Sequence, residues 1–128
     1  MSKANVSAVL FVRDLRRLSE FYRLTLGLAL KREDVDYHVL STDGFDLVVH
    51  QIPARHMPMT GSEEQPRRRE GAAIKLSFPV KQIAAPRAVA RSLGGELDPV
   101  EAEWSDGESI TCKGHDPEGN VFQVSAPI

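Results

Sequence analysis

The sequence predicts an α+β fold in a single domain, residues 1–128, built from two tandem βαβββ modules. A strand, a helix and further strands follow one another in the first half, and the same order returns in the second. Leu26-Gly27 and Leu93-Gly94 occupy matching places about half a chain apart. A segment rich in proline and charge separates the halves and predicts a linker. We expect module 1 at about 5–50, the linker at about 51–71 and module 2 at about 72–126.

The first module begins with residues 6–12, which are apolar and β-branched enough for a buried strand. Asp14 is the expected N-cap of a helix whose apolar residues recur at helical spacing, and Gly27 is its expected C-terminal residue. Residues 37–40 and 45–50 flank Asp43-Gly44, a turn sequence typical of a β-hairpin.

The second module repeats this order. Residues 74–80 predict a strand with Ile74, Leu76 and Phe78 toward the core, followed by a short helix at 86–93. Three more strands are expected, separated by turn sequences at 105–107 and 116–119; they are residues 101–104, 109–113 and 121–124.

Composition excludes several classes of function. Hydrophobic residues make up 41% and charged residues 27% of the chain, and the net charge is -2, so nothing favours a nucleic-acid or membrane partner. No apolar stretch approaches the roughly 20 residues of a membrane span, and the N-terminus lacks a secretory signal, so we expect a cytoplasmic protein. The single cysteine, Cys112, cannot form an internal disulfide and is expected to be a buried structural thiol.

Several motifs in their order resemble one superfamily. Residues 11–15 (Phe-Val-Arg-Asp-Leu), 19–22 (Ser-Glu-Phe-Tyr), 26–28 (Leu-Gly-Leu) and 116–120 (Asp-Pro-Glu-Gly-Asn) are similar to those of the vicinal oxygen chelate superfamily. This group contains glyoxalases, bleomycin-resistance proteins and extradiol dioxygenases. The resemblance implies a curved mixed sheet around a cup, a homodimer, and in the enzymes a divalent metal held by the first and last strands of each module.

The four metal positions that the resemblance implies carry weak ligands in this chain. They are Ser7, Val48, Lys75 and Gln123, with His50 replacing Val48 if the register slips by two. A protonated lysine has no lone pair, and an amide oxygen is a weaker ligand than a carboxylate, so His50 and Gln123 are the remaining weak candidates. We therefore expect no metal cofactor, with a divalent metal as the alternative.

Strand alternation predicts which side chains line the cup. They are Ser7, Val9, Phe11, Asp46, Val48, His50, Lys75, Ser77 and Gln123. Lys75 either orients an anionic ligand or pairs with Asp46, and the structural pairing is favoured slightly. His50 is the candidate general base, with a structural role as the alternative. Phe11 and Trp104 are candidates to stack on a ligand. For Trp104, covering the edge of the core is an equally supported alternative role.

These observations predict a homodimeric protein that binds a small molecule in the cup, without the family metal. A metal-dependent lyase, isomerase or dioxygenase with an atypical site is the alternative. A third hypothesis is a regulatory or accessory module that has the same fold and dimer but an empty or internally paired cup. The run Arg67–Arg69 in the linker is expected to be a solvated charged surface, with an anion-binding patch as its alternative.

Overall fold

The computed structural model describes residues 4–57 and 67–128 and confirms the α+β class, with a βαβββ order in the first half and the same order with one additional two-residue strand in the second. The part of the predicted linker at 58–66 lies outside the described residues. The first module consists of β1 (Val6–Val12), α1 (Leu15–Leu26), β2 (Ala29–Glu33), β3 (Tyr37–Thr42) and β4 (Phe45–Gln51). Its sheet has the order β1-β4-β3-β2, with β1 parallel to β4 and the other pairs antiparallel.

The second module has the same plan with shorter outer strands. It consists of β5 (Leu76–Pro79), α2 (Ala84–Ser92), β6 (Glu96–Leu97), β7 (Trp104–Ser105), β8 (Ser109–His115) and β9 (Val121–Pro127). The sheet order is β5-β9-β8-β6, β5 is parallel to β9, and β7 pairs with β8. β1 and β5 are therefore edge strands of two separate sheets, and the predicted curved sheet is not one continuous hydrogen-bonded sheet.

The predicted limits of the first helix are confirmed. The Asp14 carboxylate accepts a hydrogen bond from the Arg17 backbone N–H at 3.2 Å, which satisfies one of the unpaired donors of the first turn. Gly27 ends the helix with φ of 69°, a left-handed conformation that glycine adopts without steric cost. The sequence signals alone were sufficient here because capping is a local interaction.

The core lies between the helices and one face of each sheet. Leu47 and Val49 are fully buried, as strand alternation predicts, and so are Leu18 and Phe21 of α1. Phe21 packs edge-on against Phe122 of β9, with ring centroids 5.9 Å apart, so the two modules share one core. Cys112 is buried, as expected.

One predicted strand, residues 101–104, is wrong. Val100–Ala102 form a single 3-10 turn, in which the Ala102 N–H donates to Pro99 and the Glu103 N–H to Val100. Pro99 fixes the backbone entry to this turn, and pairing with β8 begins only at Trp104.

Ile74 was expected in the core, but its side chain is 76% exposed. β5 starts two residues later, at Leu76, which pairs with Phe122 of β9. The register would place Ile74 opposite Asn120, and Asn120 belongs to the preceding turn, where its N–H donates to Asp116. The strand therefore has no partner before Leu76.

None of the helices among the described residues is both long and apolar enough to span a membrane.

Candidate functional site

The predicted cup residues of the first module share one open face of its sheet. In the parallel β1–β4 register, Ser7 lies opposite Asp46, Val9 opposite Val48, and Phe11 opposite His50. Val9 and Phe11 are 52% and 54% exposed. The alternation predicted for these strands is therefore confirmed, but the prediction of a buried first strand is wrong, because β1 lies at the sheet edge and only Val12 of it is buried.

His50 lies between two aromatic rings on this face. Its ring centroid is 5.3 Å from that of Phe11 and 5.9 Å from that of Tyr37. Its Nδ1 lies 2.8 Å from the Gln51 carbonyl oxygen, a contact in which Nδ1 carries the hydrogen and donates. Nε2 is then the nitrogen left to accept a proton, and the role of general base stays a prediction.

The predicted pairing of Asp46 with Lys75 is wrong. Asp46 accepts from Lys31 Nζ at 3.1 Å and from Asn5 Nδ2 at 3.1 Å, because β2 carries Lys31 to the same sheet face. Burial raises the pKa of the Asp46 carboxyl, but the hydrogen bonds from Asn5 and Lys31 outweigh it and hold the pKa below its ordinary value. Asp46 is thus satisfied within its own module.

The cup residues of the second module form a separate group. Ser77 pairs with Gln123 in the β5–β9 register, and Gln123 Nε2 donates to Ser77 Oγ at 3.1 Å. Lys75 Nζ lies 5.6 Å from the centroid of the Trp104 ring, a cation–π arrangement. Trp104 is 45% exposed, so its side chain is not part of the buried core.

The residues at the family's metal positions do not fit a metal. Ser7 offers a hydroxyl and Gln123 an amide. Val48 offers only an alkyl side chain, and Lys75 a protonated amine. Zinc and transition-metal sites in proteins use three or four imidazole, thiolate or carboxylate ligands. Within residues 4–57 and 67–128, no three histidine, cysteine, aspartate or glutamate side chains are grouped so that they could hold a metal ion together.

A partly open space lies between the two modules, and we call it the central cavity. Its volume is about 440 Å³, and it runs between β1, the approach to β5 and the start of β9. Its apolar wall is formed by Leu10, Ile74, Leu76, Phe78, Val121 and Phe122. Its polar groups come from Ser7, Tyr22, Arg69 and Asn120. Of the predicted cup residues, Ser7 and Val9 line it.

A buried carboxylate supports the polar wall of the central cavity. Asp116 is fully buried and accepts from the Tyr22 hydroxyl at 2.6 Å and from Asn120 Nδ2 at 2.9 Å. Burial and the neighbouring Asp116 raise the pKa of Tyr22 well above its ordinary value, so this phenol keeps its proton and donates. Tyr22 and Asn120 are therefore held in fixed orientations at the cavity wall.

The remaining predicted residues lie away from this space, and the structure adds residues that were not foreseen. Phe11, Val48, His50, Ser77, Trp104 and Gln123 are on the open sheet faces. The sequence pattern places Tyr22, Arg69 and Asn120 only on a helix, in a charged run and in a turn. The signal available in the sequence was the pair of motifs that holds Tyr22 and Asn120, Ser-Glu-Phe-Tyr and Asp-Pro-Glu-Gly-Asn.

A second, shallower groove of about 590 Å³ lies between the end of α1 and the start of α2. Proline and aliphatic side chains form most of its lining, and Lys81 is its one charged residue. The central cavity, with several polar side chains converging on an apolar space, is the better candidate site.

Comparison with solved structures identifies the class of protein that has this fold. A glyoxalase/bleomycin resistance protein/dioxygenase family enzyme from Burkholderia phytofirmans PsJN is 19% identical, with a TM-score of 0.68 over 98% of this chain and 100% of that chain. A glyoxalase/bleomycin resistance protein from Albidiferax ferrireducens T118 is 17% identical, with a TM-score of 0.70 over 96% and 98%. The fosfomycin resistance protein FosX from Listeria monocytogenes is 15% identical, with a TM-score of 0.63 over 100% and 94%. These likenesses establish the fold.

The family itself is established by sequence. A family model described as a glyoxalase-like domain matches residues 7–125, and the chain therefore belongs to this family. The resemblance to the vicinal oxygen chelate superfamily is confirmed. No curated protein matches the chain at a significant level.

Proposed function

We propose that this glyoxalase-like protein binds a small molecule in the central cavity and does so without a metal ion. The observation that carries the proposal is the cavity of about 440 Å³ between the modules. Pockets for small organic ligands span roughly 300–1,000 Å³ and combine apolar walls with a few placed polar groups. The central cavity has this composition.

The walls favour a ligand with a flat apolar part. Phe78 and Phe122, whose ring centroids are 6.4 Å apart in a T-shaped arrangement, form a buried part of the cavity wall, each 2% exposed, and Leu76 lines the cavity beside them. Aromatic rings favour offset or edge-on contact with another ring. Tyr22 and Asn120, held by Asp116, then supply hydrogen bonds at one side of the ligand.

The metal-free part of the proposal is supported by the ligand set at the family positions. A metal-dependent lyase, isomerase or dioxygenase would need stronger ligands than Ser7, Val48, Lys75 and Gln123 supply. Elemental analysis of protein purified without a histidine tag separates the two functions. Near one equivalent of tightly bound metal per chain would overturn the metal-free proposal.

Ligand binding is tested with two probes of matched size, neutral 1-naphthamide and anionic 1-naphthoate. Each probe is titrated into the protein, and the backbone amide chemical shifts are measured by NMR. We expect at least one probe to bind with shifts at Leu10 and Val121, which line the cavity. Ala72→Trp, which introduces a large ring at the cavity wall, is expected to weaken binding at least about ten-fold by occupying the space.

Ala73→Trp is the matched control, because Ala73 is the exposed neighbour of Ala72 and does not line the cavity. Binding should survive in this variant. The proposal fails if neither probe binds at millimolar concentration, if the shifts cluster on the open sheet faces, or if both variants weaken binding equally.

A further inference from the structure

A second, smaller space opens beside the central cavity, and we call it the basic recess. Its volume is about 150 Å³, and it shares Arg69, Ala72, Ile74 and Val121 with the central cavity. Lys75, Lys113 and Glu70 complete its lining. Three cationic side chains thus surround a recess that adjoins the apolar space.

One of the three cations is already neutralised. Lys113 Nζ lies 3.0 Å from Glu70 Oε2, and Glu70 also pairs with Arg68 at 2.6 Å. Among residues 4–57 and 67–128, neither Arg69 nor Lys75 has a carboxylate within ion-pair distance. Arg69 and Lys75 therefore line the recess without an ion-pair partner among the described residues.

The backbone of Arg69 is held in place on both sides. The Arg69 N–H donates to the Gly119 carbonyl at 2.9 Å. The neighbouring Arg68 makes a two-point contact with Asp98, at 2.6 and 3.1 Å. A bidentate arginine–carboxylate pair fixes orientation as well as distance. Arg68 and Glu70 are thereby committed to other partners, while Arg69, between them in the chain, lines both spaces.

Lys75 is positioned by an aromatic ring. Its ammonium lies over Trp104 at 5.6 Å, a contact that orients the cation and leaves its charge uncompensated. An anion entering the recess would meet Arg69 from the segment before β5 and Lys75 directly before β5.

We infer that the basic recess binds the anionic end of the ligand, a carboxylate or phosphoryl group, while the apolar end occupies the central cavity. This inference rests on the proposed function and specifies the class of ligand. The inference gives two residues of the run Arg67–Arg69 distinct roles. Arg68 fixes the position of the segment through Asp98, and Arg69 contacts the anion. The metal-free site then obtains its charge recognition from side chains of the chain itself.

The test compares 1-naphthoate, 1-naphthyl phosphate and neutral 1-naphthamide by NMR titration of the full chain. We expect both anions to bind at least about ten-fold more tightly than the amide, as a charge-assisted hydrogen bond predicts. Arg69→Gln and Lys75→Gln should each reduce this preference roughly three- to ten-fold and leave affinity for the amide unchanged. The ratio of the two anion affinities shows whether the recess prefers a carboxylate or a phosphoryl group.

Trp104, the chain's single tryptophan, supplies an independent readout. An anion that draws Lys75 away from the ring should change the Trp104 fluorescence, and this change should be absent in Lys75→Gln. Arg23→Gln and Lys81→Gln are control variants at exposed positions outside both spaces. They should keep the wild-type preference for anions.

Each contrary result has a separate meaning. Equal binding of all three probes in the central cavity would overturn the inference that the ligand is anionic and would leave the proposed function intact. A preference for anions that survives both Arg69→Gln and Lys75→Gln would overturn the assignment of these residues. Failure of every probe to bind would overturn the proposed function itself.

Discussion

Asp116 illustrates how one residue can support both the fold and the site. Its two carboxylate oxygens accept hydrogen bonds from the Tyr22 hydroxyl, the Asn120 side chain and the backbone N–H groups of Glu118 and Asn120. These contacts shape the turn before β9 and fix two side chains of the central cavity. The four hydrogen bonds lower the pKa of Asp116, but the effect of burial is larger, so the pKa lies above its ordinary value.

The raised pKa of Asp116 predicts how stability varies with pH. The folded protein keeps this proton to higher pH than the unfolded chain, whose carboxyl titrates near about 3.9. The contribution of Asp116 to the free energy of unfolding is therefore fully present below that pH and is lost as the pH rises through the folded pKa. Asp116→Asn cannot titrate and lacks one acceptor, so we expect it to be less stable by about 1–3 kcal/mol at pH 4.

The difference in unfolding free energy between the wild type and Asp116→Asn should narrow as the pH rises from 4. Urea denaturation at several pH values measures it. Asp43→Asn, at an exposed turn position, controls for the change of net charge by one unit. A difference that widens with pH would show that the hydrogen bonds to Asp116 outweigh its burial and that its folded pKa is lowered.

The connection between β1 and α1 is one place where the two modules are hydrogen-bonded to each other. Glu118, from the turn between β8 and β9, accepts from the Arg13 N–H at 2.8 and 3.0 Å and from the Asp14 N–H at 2.9 Å. Gln51 of β4 accepts from the Leu15 N–H at 3.1 Å and donates to the Arg13 carbonyl. The first turn of α1 is therefore held by a side chain from each module.

Removing the Glu118 carboxylate is expected to weaken this connection. Glu118→Ala leaves the part-buried Arg13 and Asp14 N–H groups without their acceptor, and an unsatisfied donor costs up to about 1–3 kcal/mol when it is fully buried. We expect a loss of about 2–4 kcal/mol in urea denaturation, with faster amide exchange at residues 13–15.

Glu118→Gln is the matched variant for this experiment, because its amide oxygen can still accept from one of the two N–H groups. It should lose less than half as much stability as Glu118→Ala. Equal losses in the two variants, or unchanged amide exchange at the start of α1, would show that Glu118 acts elsewhere.

At the scale of the whole molecule, the open sheet faces are the unusual feature. Val9 and Phe11 are about half exposed on a surface that strand alternation turns away from the helices. Isolated exposed apolar residues are common, but adjacent ones on a sheet face mark contact surfaces. We propose that a second copy of the chain covers this face in a homodimer, as the resemblance to the superfamily implied.

Light scattering coupled to gel filtration tests the homodimer. We expect a mass twice the 14.2 kDa of the chain at tens of micromolar protein. Phe11→Ser should shift the equilibrium toward monomer by at least about ten-fold in dissociation constant, because it removes a large apolar side chain from the interface.

Leu24→Ser is the control for the dimer experiment, since Leu24 is also 54% exposed but lies on α1 beside the shallow groove. Its oligomeric state should remain that of the wild type. A wild-type chain that is monomeric under these conditions, or equal effects of the two substitutions, would contradict the proposed interface.

The sequence by itself determined the class of fold, because its signals are local. An apolar, β-branched run defined β1, strand alternation gave the core positions Leu47 and Val49, and the caps Asp14 and Gly27 gave the limits of α1. The repeated order of elements gave the two modules. The absence of strong ligands at four family positions also needed no coordinates, since it depends on residue type alone.

The tertiary structure decided which side chains meet. Asp46 pairs with Lys31 because the fold brings β2 beside β3, and Lys75 lies over Trp104 because β7 pairs with β8. The central cavity exists because β1 and β5 are edge strands of separate sheets whose core faces meet around Phe122. These contacts join residues far apart in the chain, so periodicity and spacing along the sequence do not encode them.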